Sequence, residues 1–266
     1  MNTLNTGKKL SEADRIDGVI DSHCHLDFGR FDKDREEVID RARAAGVETM
    51  INSGVDHDTN EKTLELARGH SFIYPTLGLS PSYVGRAGKN DLNALFDQIR
   101  RHAGEIKGVG EAGLDYYRCT DPAMRIRQGE VFRQAMDLGL ELNLPLIIHA
   151  RKAEQEAFEM VRSLDKVIFH CFGGSLETMG KIVERGFYIS LATTVCYSDH
   201  HQTLAMHVPL ESLLIETDSP FLSPRRGRNE PSYVLDLVRQ IARIREVSPV
   251  QVAEITARNA KKAFRL

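Results

Sequence analysis

The sequence predicts an α/β protein built as a (β/α)8 TIM barrel, with a metal site at the C-terminal rim of its strands. Three observations predict it. Short apolar runs alternate with helical patterns, the runs number eight, and several of them end in a histidine or an acidic residue. The runs lie at 18–25, 48–54, 73–79, 106–112, 144–149, 166–171, 187–192 and 213–218.

The first run closes on Asp21-Ser22-His23-Cys24-His25. Side chains alternate along a strand, so His23 and His25 face one way and Cys24 the other, and a single strand delivers two ligands to one ion. A helix then runs from Arg35 to Ala45, stopped at Gly46. The fourth run carries Val109-Gly110-Glu111. Asp121-Pro122 reads as an N-cap followed by an N1 proline, opening a long helix toward residue 143. The fifth, sixth and eighth runs end at His149, at His170 and at Glu216-Thr217-Asp218. Ser248-Pro249-Val250-Gln251 opens a last helix that ends near Phe264. Strands interleaved with helices pair in parallel, and eight of them favour a closed barrel. An open doubly wound sheet needs a glycine-rich phosphate turn after an early strand, whereas Gly110 and Gly113 only flank Glu111.

A chain of 266 residues with 41% apolar content suits one such barrel, which commonly takes about 250 residues. The barrel domain is expected over 18–266, after a polar N-terminal extension at 1–17. Formal charge is −3 and the sequence pI about 6.4, which excludes a strong general field for nucleic acid, so any phosphate binding must be local. Cys24, Cys119, Cys171 and Cys196 form no Cys-x-x-Cys pair, which favours a reducing compartment. The N-terminal segment lacks a signal-peptide core, and no apolar stretch approaches the roughly 20 residues that span a bilayer. The expectation is a cytoplasmic protein without membrane contact. No long unmatched apolar helix face stands out, so a monomer without a stable protein partner is expected.

In a (β/α)8 barrel the loops at the strands' C-terminal ends converge on one bowl. His23, His25, Glu111, His149, His170 and Asp218 are all assigned there. Six ligand-type side chains exceed what one tetrahedral ion takes, so two divalent cations sharing a carboxylate is the economical reading. Glu111 is the natural bridge, with His23, His25 and Asp218 on one metal and His149 and His170 on the other. A water acidified by two cations becomes a nucleophile near neutral pH, and Asp218 can both ligate and take its proton. The catalytic residues are therefore expected to be Asp218 and Glu111. Singly, each histidine also reads as core filler; the conjunction at strand ends carries the argument. His57, His70, His102 and His207 fall in helical or loop context and read as surface residues, and Asp199-His200-His201 reads as a solvated loop. Lys107, four residues before Glu111 and so roughly 13 Å deeper along a strand, cannot serve as a carbamylated bridge.

The ordered motifs Asp21-Ser22-His23-Cys24-His25-Leu26-Asp27, Gly110-Glu111-Ala112-Gly113-Leu114-Asp115-Tyr116-Tyr117, His149-Ala150-Arg151, His170-Cys171-Phe172-Gly173-Gly174 and Glu216-Thr217-Asp218-Ser219-Pro220 resemble those of the TatD family of metal-dependent deoxyribonucleases. The resemblance runs from about residue 18 to the C-terminus. It implies a metal-dependent nuclease on an amidohydrolase-like barrel, a 3′→5′ exonuclease on single-stranded DNA and in some members on RNA. Its ligand positions fall on the six residues already assigned. The chain departs from the family at Gly78-Leu79-Ser80-Pro81, where Ser80 replaces an active-site histidine, at Gly173 where serine is common, and in a slightly short segment from Pro224 to Pro231.

Phosphodiester cleavage needs cations that receive phosphates. Arg151 shares the strand face of His149, Arg118 follows strand 4, and Arg225, Arg226 and Arg228 cluster after strand 8. Tyr116, Tyr117, Tyr83 and Phe221 are positioned to stack on an unpaired base, with loop packing as the alternative. The substrate set assigned is Arg151, Arg226, Arg228, Tyr116 and Ser80, with single-stranded nucleic acid as substrate. Mg²⁺ or Mn²⁺ suits phosphate oxygens, and four histidines also welcome Zn²⁺. The competing expectation is a metallohydrolase of an ester or amide on the same scaffold, such as an aminoacyl-tRNA deacylase. A binding module without turnover is disfavoured by the complete ligand set.

Overall fold

The computed structural model describes residues 15–266, so the extension assigned to 1–17 lies outside the described residues except at its end. There Ile16 is buried and its N–H donates to the Ala45 carbonyl at 3.3 Å.

Eight strands alternate with helices among the described residues. In chain order they are β1 (Val19–Cys24), α1 (Arg35–Ala45), β2 (Val47–Ser53), α2 (His57–Gly69), β3 (Ile73–Thr76), α3 (Pro81–Val84), α4 (Lys89–Arg101) and β4 (Val109–Asp115). There follow α5 (Pro122–Leu142), β5 (Leu146–Arg151), α6 (Glu154–Val161), β6 (Val167–His170), α7 (Leu176–Glu184) and β7 (Tyr188–Ala192). The last elements are α8 (Asp199–His207), β8 (Leu213–Glu216), α9 (Val234–Arg245) and α10 (Pro249–Phe264). The caps read from sequence are in place. Asp121 accepts from Ala123 N–H at 2.8 Å, Ser248 accepts from Gln251 N–H at 3.1 Å, and Gly46 ends α1 in the left-handed conformation at φ 106°.

All strand pairs are parallel: β1-β2-β3 form one ladder and β4 to β8 another. Two seams close the ring. Leu77 bridges Val109 on one side, and on the other Asp218 N–H donates to the His23 carbonyl at 3.0 Å and His25 N–H to the Ser219 carbonyl at 2.8 Å. The first seam moves two predicted boundaries. Strand 3 stops at Thr76 rather than 79 and strand 4 begins at Val109 rather than 106, because Leu77, Lys107 and Gly110 spend their hydrogen bonds on single contacts between the two segments.

Parity along the strands sorts the core into two compartments. Ile20, Ile51, Ile147, Ile168 and Leu214 fill the barrel interior, and Ala257, Ala260 and Phe264 of α10 close it from below. Their neighbours Val19, Met50, Ile148, Phe169 and Ile215 point outward to pack under the helices with Val38, Leu95, Leu138 and Phe158. Burying one such large side chain contributes about 1.5–3 kcal/mol, and the filled interior makes the barrel a solid base for what sits above it. No helix among the described residues is long and apolar enough to cross a membrane.

Candidate metal centre

Stepping two residues up each inward-facing position leads from apolar packing to ligands. Ile147 is followed by His149, Ile168 by His170 and Leu214 by Glu216, so one strand face carries both core and site. Strand β1 departs from this rule. Ile20 and Ser22 face inward, the Ser22 hydroxyl meeting that of Ser190 at 3.0 Å, and simple alternation would then turn His23 outward, but the register against β2 shifts between Asp21 and Cys24 and brings His23 and His25 to the cluster. Asp21 fastens this turn to β8, accepting from the Thr217 hydroxyl at 2.6 Å and the Thr217 N–H at 2.9 Å, while burial pushes its carboxyl up to about 8. Glu111 lies in a β4 segment that hugs β5. At Gly113, φ is +149° and any Cβ would run into the His149 carbonyl. Only glycine permits that approach.

The six predicted ligands come together. His23 Nε2 lies 3.2 Å from His25 Nε2, and His149 Nδ1 lies 3.1 Å from His170 Nε2. Glu111 Oε2 is 3.2 Å from His170 Nε2 and 3.5 Å from His23 Nε2, and its Oε1 is 4.0 Å from His149 Nδ1. Asp218 Oδ1 is 3.4 Å from His25 Nε2 and 3.9 Å from His23 Nε2. Donor atoms form three overlapping groups of metal-binding size: His23, His25 and Asp218; Glu111, His149 and His170; and His23, His170 and Glu216.

The outer ring nitrogens explain why the inner ones converge. His25 Nδ1–H donates to the Ser53 carbonyl at 2.7 Å, and the Ser53 hydroxyl lies 3.2 Å from His23 Nδ1. His170 Nδ1–H donates to Glu216 Oε1 at 3.4 Å, and His149 Nε2–H to Asp115 Oδ2 at 3.3 Å. With tautomers assigned from these partners, His149 Nδ1 and His170 Nε2 turn lone pairs toward each other, and His25 Nε2 turns one toward His23. Neutral rings so arranged need a proton or a cation between them. The residues fit divalent metal, as imidazole and carboxylate donors suit Zn²⁺ or Mn²⁺.

The charges say the same. Burial opposes charge on Glu111, yet His170 and His23 beside it hold its carboxyl well below the usual range. Burial likewise opposes charge on Asp218, and His25 keeps its carboxyl low. Against the burial that disfavours a charged ring, Asp218 raises His25 to about 9, and Glu111 with Glu216 raises His170 well above its ordinary value. Burial, then the neighbouring His170, lowers His23. The carboxylates draw positive charge into a place that has little water to offer it.

Above the cluster opens a cleft of about 1150 Å³ lined by His25, Glu111, His149, His170 and Asp218, with Ser80, Arg30, Arg118, Arg151 and Lys152 at its walls. Ser80 caps α3, accepting from Tyr83 N–H at 3.3 Å, and lines the cleft. Arg151 also lines it. Other assignments are corrected. Arg228 is committed to Asp34 at 2.6 Å and lies over Phe31, because the loop after β8 folds back onto the loop after β1. Arg225 is held by Asp236 at 2.7 Å, and Arg226 is exposed and is not among the residues lining the cleft. Tyr116 donates its hydroxyl to Glu156 at 2.7 Å under the Arg125 guanidinium, so its ring is packed rather than presented. His200 and His201 lie in α8 and line the cleft, where the sequence favoured a solvated loop. Sequence reasoning missed the outer partners Glu216, Asp115 and Ser53, and the cleft residues Phe28 and Arg30. Glu216 shares strand parity with Asp218 and was open to detection; Ser53 acts partly through its backbone and left no signal.

Barrel and seat together define a metal-dependent hydrolase of the amidohydrolase-like barrels. The family model described as TatD related DNase matches residues 20–265, and the chain belongs to the TatD family. It is 36% identical over 247 residues to an uncharacterized metal-dependent hydrolase of Methanocaldococcus jannaschii, covering 92% of this chain and 96% of the relative. It is 32% identical over 265 residues to the 3′-5′ ssDNA/RNA exonuclease TatD of Salmonella typhimurium, covering 92% and 98%. Among solved structures, a TatD homolog from Escherichia coli superposes with a TM-score of 0.86 at 28% identity, covering 93% of this chain and 98% of that one.

Proposed function

We propose that this protein is a two-metal phosphodiesterase that removes mononucleotides from the 3′ end of single-stranded DNA, and of RNA as a second substrate. The observation that carries the reading is the two close imidazole pairs on either side of Glu111, His23–His25 at 3.2 Å and His149–His170 at 3.1 Å, at the floor of a cleft whose Arg30 and Arg151 meet no carboxylate among the described residues. The name of the Salmonella relative supports the substrate class. His23, His25 and Asp218 would hold one cation and His149 and His170 the other, with Glu111 shared between them. Bound there, Mg²⁺, Mn²⁺ or Zn²⁺ supplies Lewis acidity to a phosphoryl oxygen and acidifies a water toward neutral pH.

The chain's own groups do the rest. Asp218 is only 15% exposed at its side chain, and its carboxylate is kept ionised, so its free oxygen accepts the proton of the attacking water. Arg151, at the end of β5, would receive the phosphate by paired N–H donors, and the Ser80 hydroxyl, which lines the same cleft, would donate to the same group.

The test strips the protein with chelator, reloads it with Mg²⁺, Mn²⁺ or Zn²⁺, and offers end-labelled DNA and RNA oligonucleotides beside aminoacyl-tRNA and simple esters. Metal-dependent release of mononucleotides, lost in Glu111→Ala, is the expected result. Hydrolysis of esters alone overturns it.

A further inference from the structure

Two arginines at the cleft stand apart from their neighbours. Arg225, Arg228, Arg86 and Arg118 each face a carboxylate, Asp236, Asp34, Asp56 and Asp115 respectively. Arg30 and Arg151 face none among the described residues, and each lies against an exposed aromatic ring instead. The Arg30 guanidinium carbon is 5.9 Å from the centre of the Phe221 ring, and its N–H donates to the Pro220 carbonyl at 3.5 Å. The Arg151 guanidinium carbon is 3.9 Å from the centre of the Tyr117 ring. Phe221 is 38% exposed and Tyr117 59% exposed, unusual for large rings that have a core to join.

Their places in the ring of strands matter. Arg30 follows β1 and Phe221 follows β8; Tyr117 follows β4 and Arg151 ends β5. In an eight-stranded barrel those seams are four strands apart, so Arg30 with Phe221 and Arg151, which line the cleft, stand on opposite sides of the histidine cluster, and Tyr117 adjoins the cleft through Arg151. Phe221 is also tied to the cluster: its ring meets Phe28 edge-on at 5.9 Å, and Phe28 stacks on His25 at 4.7 Å. A guanidinium laid on a ring leaves outer faces open on which an unpaired base can stack, while its N–H groups reach the adjoining phosphate.

We infer that Arg30–Phe221 and Arg151–Tyr117 form a two-point base clamp that takes the nucleotides on either side of the bond to be cut. The inference rests on the phosphodiesterase reading and adds to it what the site recognises. The ligand is an unpaired dinucleotide step of any sequence, since every base has a π-face and neither pair presents a base-edge code. A base held in a duplex cannot enter either platform. The clamp therefore requires single strands, with two nucleotides as the shortest good substrate.

The experiment compares binding of labelled decathymidylate with that of a labelled base-less sugar-phosphate decamer, by fluorescence anisotropy in chelator, and then cleavage of the same probes in Mn²⁺. Wild type is expected to prefer decathymidylate roughly 10-fold or more, the worth of stacked bases. Phe221→Ala and Tyr117→Ala each narrow that preference, and Phe221→Tyr restores it. Arg30→Ala and Arg151→Ala each reduce the salt dependence of binding by about one unit of slope. Equal binding of the two decamers by wild type, or an undiminished preference in both alanine variants, overturns the clamp while leaving phosphodiester cleavage standing. Failure of wild type to bind or cleave any oligonucleotide removes the phosphodiesterase reading and the clamp with it.

Discussion

Replacing Glu216 with glutamine tests how the seat is tuned without touching a predicted ligand. The side chain is fully buried; Oε1 accepts from His170 Nδ1–H at 3.4 Å, and Oε2 has no partner among the described residues. A carboxylate behind a ligating imidazole fixes its tautomer and raises its basicity, and removing such a partner costs about 10–100-fold in metal affinity. That is about 1.4–2.7 kcal/mol. The amide also offers an N–H that can donate to His170 Nδ1, moving the ring proton to Nε2, where it points into the seat. Fold stability should move little in the stripped protein, because glutamine keeps the volume and removes a buried charge whose second oxygen is unsatisfied. Calorimetric titration of chelator-stripped Glu216→Gln with Mn²⁺ or Zn²⁺ reads the affinity, and ¹⁵N shifts of His170 read the tautomer. Unchanged affinity with an unchanged tautomer refutes the reasoning.

Two further outcomes follow from the scaffold. Phe264→Ala opens the barrel floor and should cost about 3–5 kcal/mol in urea unfolding, as for other large core truncations; a loss below about 1 kcal/mol would show that α10 is not packed as described. The Arg228–Asp34 pair should be worth at most about 1 kcal/mol, since both partners are partly solvated. Arg228 holds the Asp34 carboxyl below its ordinary 3.8, so the contribution is full above that value and disappears as pH falls through the folded pKa. Arg228→Ala should therefore be destabilised relative to wild type at pH 7 and match it in acid, as denaturation curves at several pH values would show.

How much of this was legible in the sequence depends on which physical rule carried each residue. Strand ends carried His149 and His170, because each closes a short apolar run where the strands of a barrel reach its rim. Strand parity is incomplete for His23 and His25: they share a face as expected, but they reach the interior through a register shift that no local pattern announces. Charge clustering misled at Arg228, since a run of arginines says nothing of which carboxylate the loop will fold against. Arg30 escaped notice for the complementary reason. It stands alone after β1, and only the tertiary fold sets it over Phe221. Glu216 and Asp115 were in view as parts of motifs, but their work lies behind the ligands, and an outer hydrogen bond has no signature in spacing.

Because isoleucines plug the strand cylinder and α10 seals it underneath, the histidine cluster opens, among the described residues, through the cleft above it. Nothing can be drawn through this molecule as thread through a bead. On the proposed function, a strand would enter by the upper opening, and each fragment released would leave by the same side. Turnover on long strands would thereby be coupled to the clearing of that opening, whatever the speed of the bond-breaking step beneath it.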